Sequence, residues 1–347
     1  MFAPVLLLLS LSVFVQSTPV PKRLIDPPAN PLHFVKVTDE LKKQIASGKA
    51  VFGQQAKKVP HVSKWDAHDP GYYTDAFARS FMMPLAAAAY ADDPSLCLKS
   101  KFKNATLSTS VITTCEAEGT KDECAGFTAV SHDEKAIIVS FRGTNTFLEL
   151  VTEVNHVVLK NKQNSPIGGK VAFYFYSVFS QLWEAGLGKD ADLLLKQYKD
   201  YEIWVTGHSL GGAVASIAAT WMLNEYDDID ADRIKLVTFG QPRTGDTDYA
   251  LAHNLKLPRS YRVTHKRDIV PHTPPEYFES YFHHESEIWY PDGMKAGDKF
   301  IVCNDGESQE CSDMQWLDTS ISDHLHYFDK YLSVYGLDGC SDEVQKL

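Results

Sequence analysis

Positive charge is in short supply in this sequence: 34 lysines and arginines stand against 45 aspartates and glutamates, a formal net charge of −11. A nucleic-acid partner wants a basic face, so that class is disfavoured, as is tight electrostatic docking on an anionic membrane. No apolar run reaches the ~20 residues that a membrane-spanning helix needs. The longest, Val5 to Val15, is broken only by Ser10 and Ser12. It reads as the core of a secretory signal peptide over residues 1–17, with Val15 and Ser17 as the small residues before cleavage, although its n-region has no Lys or Arg. No Cys-x-x-Cys pair, internal repeat or low-complexity tract occurs.

What is present suffices for a sizeable core. The chain has 347 residues, 44% of them hydrophobic, including 18 Phe, 16 Tyr and 6 Trp, which fits one large α/β domain or two small ones. Residues 18–60, with Pro19, Pro21, Pro27, Pro28 and Pro31, read as a proline-rich extension or propeptide containing a short helix at 39–47. Residues 61–347 read as the domain proper, compact from about Tyr72. The 6 cysteines fit an oxidising compartment and three disulfides, for which sequence allows fifteen connectivities. Cys115–Cys124 and Cys303–Cys311 are attractive because they close small loops, which leaves Cys97–Cys340. Asn104-Ala105-Thr106 becomes a glycosylation acceptor if the chain is exported.

Strand and helix patterns alternate along the domain. Helices are expected at 77–90, 172–198 with a break near Gly186–Gly188, 210–225 and 324–332. Strands are expected at 127–131, 136–142, 202–206, 234–239, 261–265, 287–290 and 299–303. Ala136 to Phe141 is almost wholly apolar, as a strand buried on both faces should be. The alternation implies a mostly parallel sheet with helices on both faces.

Residues 207–211 read Gly-His-Ser-Leu-Gly. The motif follows the apolar Ile203-Trp204-Val205 and precedes the small-residue helix Gly211 to Ser216. A serine at such a strand–turn–helix junction is a nucleophile elbow, with glycines where side chains would collide. The helix N-terminus favours negative charge beside Ser209. A serine needs a base, and in this arrangement the order is Ser, then Asp or Glu, then His. His272, His283, His284, His324 and His326 qualify. On a 324–332 helix His324 shares a face with Tyr327, Phe328 and Tyr331, and His326 shares one with Asp329 and Lys330, which favours His324. Asp268, just past the 261–265 strand, is the favoured carboxylate over Asp246 and Asp248, which look like part of a solvated loop. An oxyanion needs preorganised N–H donors, one from Leu210 and one from Thr144 at the end of Phe141-Arg142-Gly143-Thr144. Directly afterwards Phe147, Leu150, Val151 and Val154 fall on one helical stripe, opposite Glu149, Thr152 and Glu153. Such an amphipathic helix can act as a lid that shuts over a site and opens at a lipid surface.

Phe-Arg-Gly-Thr at 141–144, Val-Thr-Gly-His-Ser-Leu-Gly-Gly-Ala at 205–213, Phe-Gly-Gln-Pro-Arg-Thr-Gly at 239–245, Val-Thr-His-Lys-Arg-Asp-Ile-Val-Pro at 263–271 and Asp-His-Leu-His-Tyr-Phe at 323–328 together resemble the class 3, fungal-type triacylglycerol lipase family, over about residues 70–342. The resemblance implies a disulfide-stapled α/β-hydrolase fold, with Ser209 as nucleophile, Asp268 as triad acid and His324 as base. It also implies oxyanion donors at Thr144 and Leu210, a lid near 145–155 and the three disulfides named above. A secreted ester hydrolase is expected, acting on triacylglycerol or another ester at a lipid–water interface, with no metal or organic cofactor. Phospholipase A1 and feruloyl-type esterase are the alternatives within the family, and a non-catalytic lipid-binding protein on a lipase scaffold is the alternative of a different functional class. Asp228-x-Asp230-x-Asp232 lacks the glycine and terminal glutamate of an EF-hand.

Overall fold

The computed structural model describes residues 73–117, 120–144, 160–276, 278–315 and 319–342. The expected signal peptide at 1–17, the extension at 18–60 and the expected lid residues Phe147, Leu150, Val151 and Val154 lie outside the described residues.

A helical stretch opens at Asp75 and ends in α1 (Met83–Ala88), followed by α2 (Ser95–Lys101). Then come strands β1 (Ala105–Ala117), β2 (Thr120–Ser131) and β3 (Ala136–Phe141). Helices α3 (Phe173–Leu182) and α4 (Gly188–Gln197) lead to β4 (Glu202–His208), α5 (Leu210–Glu225), β5 (Ile234–Phe239), α6 (Thr247–Lys256) and β6 (Ser260–His265). Strands β7 (Glu287–Tyr290) and β8 (Ile301–Cys303) and helices α7 (Ile321–Leu325) and α8 (Leu332–Leu337) follow. The eight strands form one sheet whose spatial order is the chain order, β1 to β8. β1, β2 and β3 form an antiparallel meander, β3 to β7 run parallel, and β8 closes the far edge antiparallel.

Burial explains the pattern. Every residue of β3 is buried, and the period of two sends Ile137, Val139 and Phe141 to one face and Ala136 and Ile138 to the other. The first face packs on α3 and α5 through Phe175, Phe179, Ala215 and Met222. The second packs on α1 and α8 through Ala86, Ala87, Leu332 and Tyr335. Cys97–Cys340 staples the second layer, tying α2 to the segment after α8, while Cys115–Cys124 clips β1 to β2 and Cys303–Cys311 closes a loop after β8.

Three elements differ from the sequence expectation. β1 was not anticipated at all, because most of its residues are half-buried or exposed and its serines and threonines give little apolar signal. Asp246 and Asp248 do not belong to a solvated loop: Asp246 is the N-cap of α6, its Oδ1 accepting from Tyr249 N at 2.9 Å. The expected helix at 324–332 is instead the end of α7, a hairpin pairing His326–Tyr327 with Lys330–Tyr331, and the start of α8. Phe328 and Asp329, at φ 52° and 60°, make its turn, which an α-helix cannot accommodate.

Candidate active site

Ser209 sits between the last residue of β4 and the first of α5, at φ 60° and ψ −130°. That left-handed backbone is costly for any residue with a Cβ and persists only where neighbours enforce it. Here Ser209 N donates to Phe239 O at 2.9 Å, and Gly212 N donates to Ser209 O at 2.9 Å. The flanking glycines let strand and helix meet: a Cβ on Gly207 would lie 2.2 Å from Gly211 O, and one on Gly211 would lie 2.2 Å from Phe141 O.

Asp268 follows β6, and a parallel bridge to Ser320 brings in the segment that carries His324. Ser320 N donates to Arg267 O at 2.6 Å, and Ser320 caps α7 by accepting from Asp323 N at 3.0 Å. His265, at the end of β6, adds a hydrogen bond from Nδ1 to Asp323 O at 3.1 Å. His324 is thus fixed from both sides. Its Nδ1 lies 2.9 Å from each oxygen of Asp268, and neither side chain is exposed to solvent.

The carboxylate is held by more than the imidazole. Tyr327 donates its hydroxyl to Asp268 Oδ2 at 2.6 Å, and Val270 N donates to Oδ1 at 2.8 Å. Burial pushes the Asp268 carboxyl upward, but the adjacent His324 ring and these donors outweigh it and hold the group below its ordinary range. The acid therefore stays ionised, which sets the His324 tautomer: Nδ1 carries the proton and Nε2 offers a lone pair. His324 Nε2 and Ser209 Oγ are both buried, and both lack a hydrogen-bond partner among the described residues. Ser209 and His324 line one pocket with Tyr90, Thr144, His208, Leu325 and Ser333. A buried hydroxyl and a buried imidazole nitrogen without partners are expected where a third group, the substrate, completes the hydrogen bonding.

Thr144 thus faces the same pocket as Ser209, and Leu210 is the first, fully buried residue of α5. The other candidate bases lie elsewhere. His272 pairs with Asp313 at 3.3 Å, His283 Nε2 donates to Pro271 O at 2.7 Å, and His284 accepts from Gln241 at 3.0 Å. His326, half-buried, bonds Ser322 O through Nδ1 at 2.8 Å. Among the residues of the site that escaped the sequence reading are His208 and Tyr90. His208, inside the serine motif, stacks on His324 with ring centroids 4.4 Å apart, and Tyr90 reaches His208 from before α2. Among the described residues no group of three or more His, Cys, Asp or Glu side chains could hold a metal ion, and no helix is long and apolar enough to cross a membrane.

With this geometry in view, the likeness to known proteins is extensive. Residues 138–278 match the family described as "Lipase (class 3)". The chain is 34% identical over 305 residues to Lipase ZK262.3 of Caenorhabditis elegans, covering 78% of this chain and 84% of that one. It is 33% identical over 206 residues to a lipase of Rhizopus niveus, covering 59% of this chain and only 50% of that one. The crystal structure of a lipase from Rhizopus microsporus var. chinensis superposes with a TM-score of 0.64 at 29% identity, covering 75% of this chain and 89% of that one. On this likeness in sequence and in fold, the chain belongs to the class 3 lipase family and is a serine hydrolase of carboxylic esters.

Proposed function

We propose that this protein is a secreted triacylglycerol lipase working through an acyl-enzyme. One observation carries the reading: Ser209 Oγ and His324 Nε2 open unpartnered onto one pocket, while the other ring nitrogen is locked to Asp268. In the first step His324 Nε2 takes the Ser209 proton as Oγ attacks the ester carbonyl. The buried Asp268 stabilises the imidazolium that forms. The tetrahedral oxyanion is received by the Leu210 N–H at the start of α5 and by Thr144, where preorganised donors lower the barrier most. His324 then protonates the departing alcohol. In the second step it deprotonates a water that releases the fatty acid and restores Ser209.

Export is supported by the leader-like run at 5–15 and by six cysteines joined as three disulfides. Asn104 is exposed, as a glycan acceptor must be. The apolar stripe of Phe147, Leu150, Val151 and Val154 follows Thr144 directly in the sequence and suits a lid that meets a lipid surface. Purified Ser209→Ala protein should lose essentially all hydrolysis of p-nitrophenyl esters and of triacylglycerol emulsion. Wild-type rates in that variant would remove Ser209 from the mechanism. Phosphatidylcholine and methyl ferulate in the same assay separate a triacylglycerol lipase from a phospholipase or a feruloyl esterase.

A further inference from the structure

Tyr90 and His208 connect two parts of the site that the triad itself does not join. The Gly143 backbone, next to Thr144, lies against the Tyr90 hydroxyl, so close that a Cβ on Gly143 would come within 2.4 Å of that oxygen, and it hydrogen-bonds the hydroxyl. That hydroxyl lies 2.8 Å from His208 Nδ1, and His208 Nε2 lies 2.8 Å from the backbone oxygen of His324. A carbonyl oxygen can only accept, so Nε2 carries the ring proton. Nδ1 is then an acceptor, and the Tyr90 O–H must point at it. The Tyr90 oxygen is then left as an acceptor, which the Gly143 N–H serves. The direction of every bond from Gly143 to His324 is thereby fixed. The two imidazole rings are stacked, 27° from parallel.

We propose that Tyr90 and His208 form a positioning bridge that holds the Gly143–Thr144 segment after β3 and the backbone of the base at a set separation on either side of Ser209. The proposal rests on the roles given above to Ser209, Thr144 and His324. His208 is suited to the task because it is the last residue of β4, adjacent to Ser209. The backbone of the base is thus referenced to the strand that presents the nucleophile. Such a reference matters because His324 sits on a helix of 5 residues that runs straight into a hairpin, and a displacement of ~1 Å at a reacting group can cost ~100-fold in rate. Burial, with the His324 ring beside it, holds His208 down to about 3, so the bridge keeps its neutral form wherever an imidazole base can work.

The test compares Tyr90→Phe, His208→Leu and His208→Gln in the full chain. Tyr90→Phe deletes one oxygen from the bridge, His208→Leu deletes both bonds, and His208→Gln keeps a donor for the His324 carbonyl. Tyr90→Phe and His208→Leu should lower kcat on a p-nitrophenyl ester roughly ten- to hundred-fold and leave KM within about twofold. Fluorophosphonate labelling of Ser209 should slow in parallel, and His208→Gln should recover most of the loss. The Tyr90→Phe/His208→Leu double variant should be no slower than its slower parent, because both changes break one chain. A wild-type kcat in Tyr90→Phe overturns the bridge, as do losses that multiply in the double variant, or a lowered urea midpoint with kcat intact. If the His208 variants do not fold, Tyr90→Phe decides by itself. Ser209→Ala keeps the two claims apart: an inactive Ser209→Ala beside a fully active Tyr90→Phe defeats the bridge alone, whereas an active Ser209→Ala defeats the reading beneath it.

Discussion

Gly240, just after β5, adopts φ 57°, and a Cβ there would lie 2.6 Å from Asp268 Oδ2 and 2.8 Å from His324 Nδ1. Gly240→Ala should therefore cost about 1–2 kcal/mol for the backbone alone. It should also push apart the carboxylate and the imidazole, lowering kcat by more than about tenfold. Steady-state kinetics beside urea unfolding would check both, and an unchanged kcat would show that the pair can shift without penalty. At this scale the proposed triad of Ser209, Asp268 and His324 was legible because each lies in a short motif whose chemistry is local. Tyr90, His208, Tyr327 and Gly240 were not legible. Their importance arises only where segments more than a hundred residues apart in several cases, such as Tyr90 and His208, come into contact. His324 was favoured over His326 on a helical-face argument, yet the two differ because α7 ends between them: His324 is the buried residue of α7 and His326 opens a partly exposed hairpin.

The β5–α6 connection depends on a neighbouring loop for its charge balance. Arg243, fully buried, receives both oxygens of Glu307, with Nε–Oε1 at 2.8 Å and Nη2–Oε2 at 2.5 Å, and donates from Nη1 to Pro274 O at 2.9 Å. Glu307 also accepts from His283 N at 2.7 Å, and the Cys303–Cys311 disulfide closes the loop that carries it. Removing Glu307 strips Arg243 of its nearer partner and leaves Asp313 Oδ1, 3.4 Å from Nη2, as the remaining carboxylate, so Glu307→Ala should lose about 1–3 kcal/mol in denaturant unfolding. Adding Arg243→Met should restore part of that. If the double variant is as unstable as the single one, packing rather than charge is the cause. The parallel strands were readable from continuous apolar runs such as 136–141. The edge strand β1 carries its apolar residues sparsely, and α6 begins at an acidic cap that looks like a loop until Tyr249 folds back onto Ser216 at 2.9 Å.

For the molecule as a whole, buried neutral histidines set the response to acid. Burial lowers His208 and His253 to about 3, lowers His283 and His284 well below their ordinary value, and lowers His265. Below the unfolded value of about 6.5 the unfolded chain takes up protons that the native state refuses, so stability falls as pH drops through that point. Each such group contributes up to about 1.4 kcal/mol per pH unit. Asp268, held low, adds its own loss only at more acid pH, as it protonates in the unfolded chain first. Urea midpoints measured from pH 7 down to about 4.5 should therefore fall steeply, and a flat curve would contradict the buried neutral assignment. The disulfide Cys97–Cys340 spans 243 residues, and replacing both cysteines by serine should cost about 5 kcal/mol through the freed unfolded chain. A loss below about 1 kcal/mol would mean that the helical layer of α1 and α8 holds by packing alone.

Strands that lie side by side in the order in which they are written have a consequence for assembly. Each new strand needs only an edge that its predecessor has just offered, and no strand has to be threaded between two that are already joined. The sheet can lengthen stepwise from its amino-terminal meander, like a fence raised one post at a time. The imidazole on α7 lies beyond the last of these strands in sequence, so on the proposed mechanism a chain still short of it has no working hydrolytic centre.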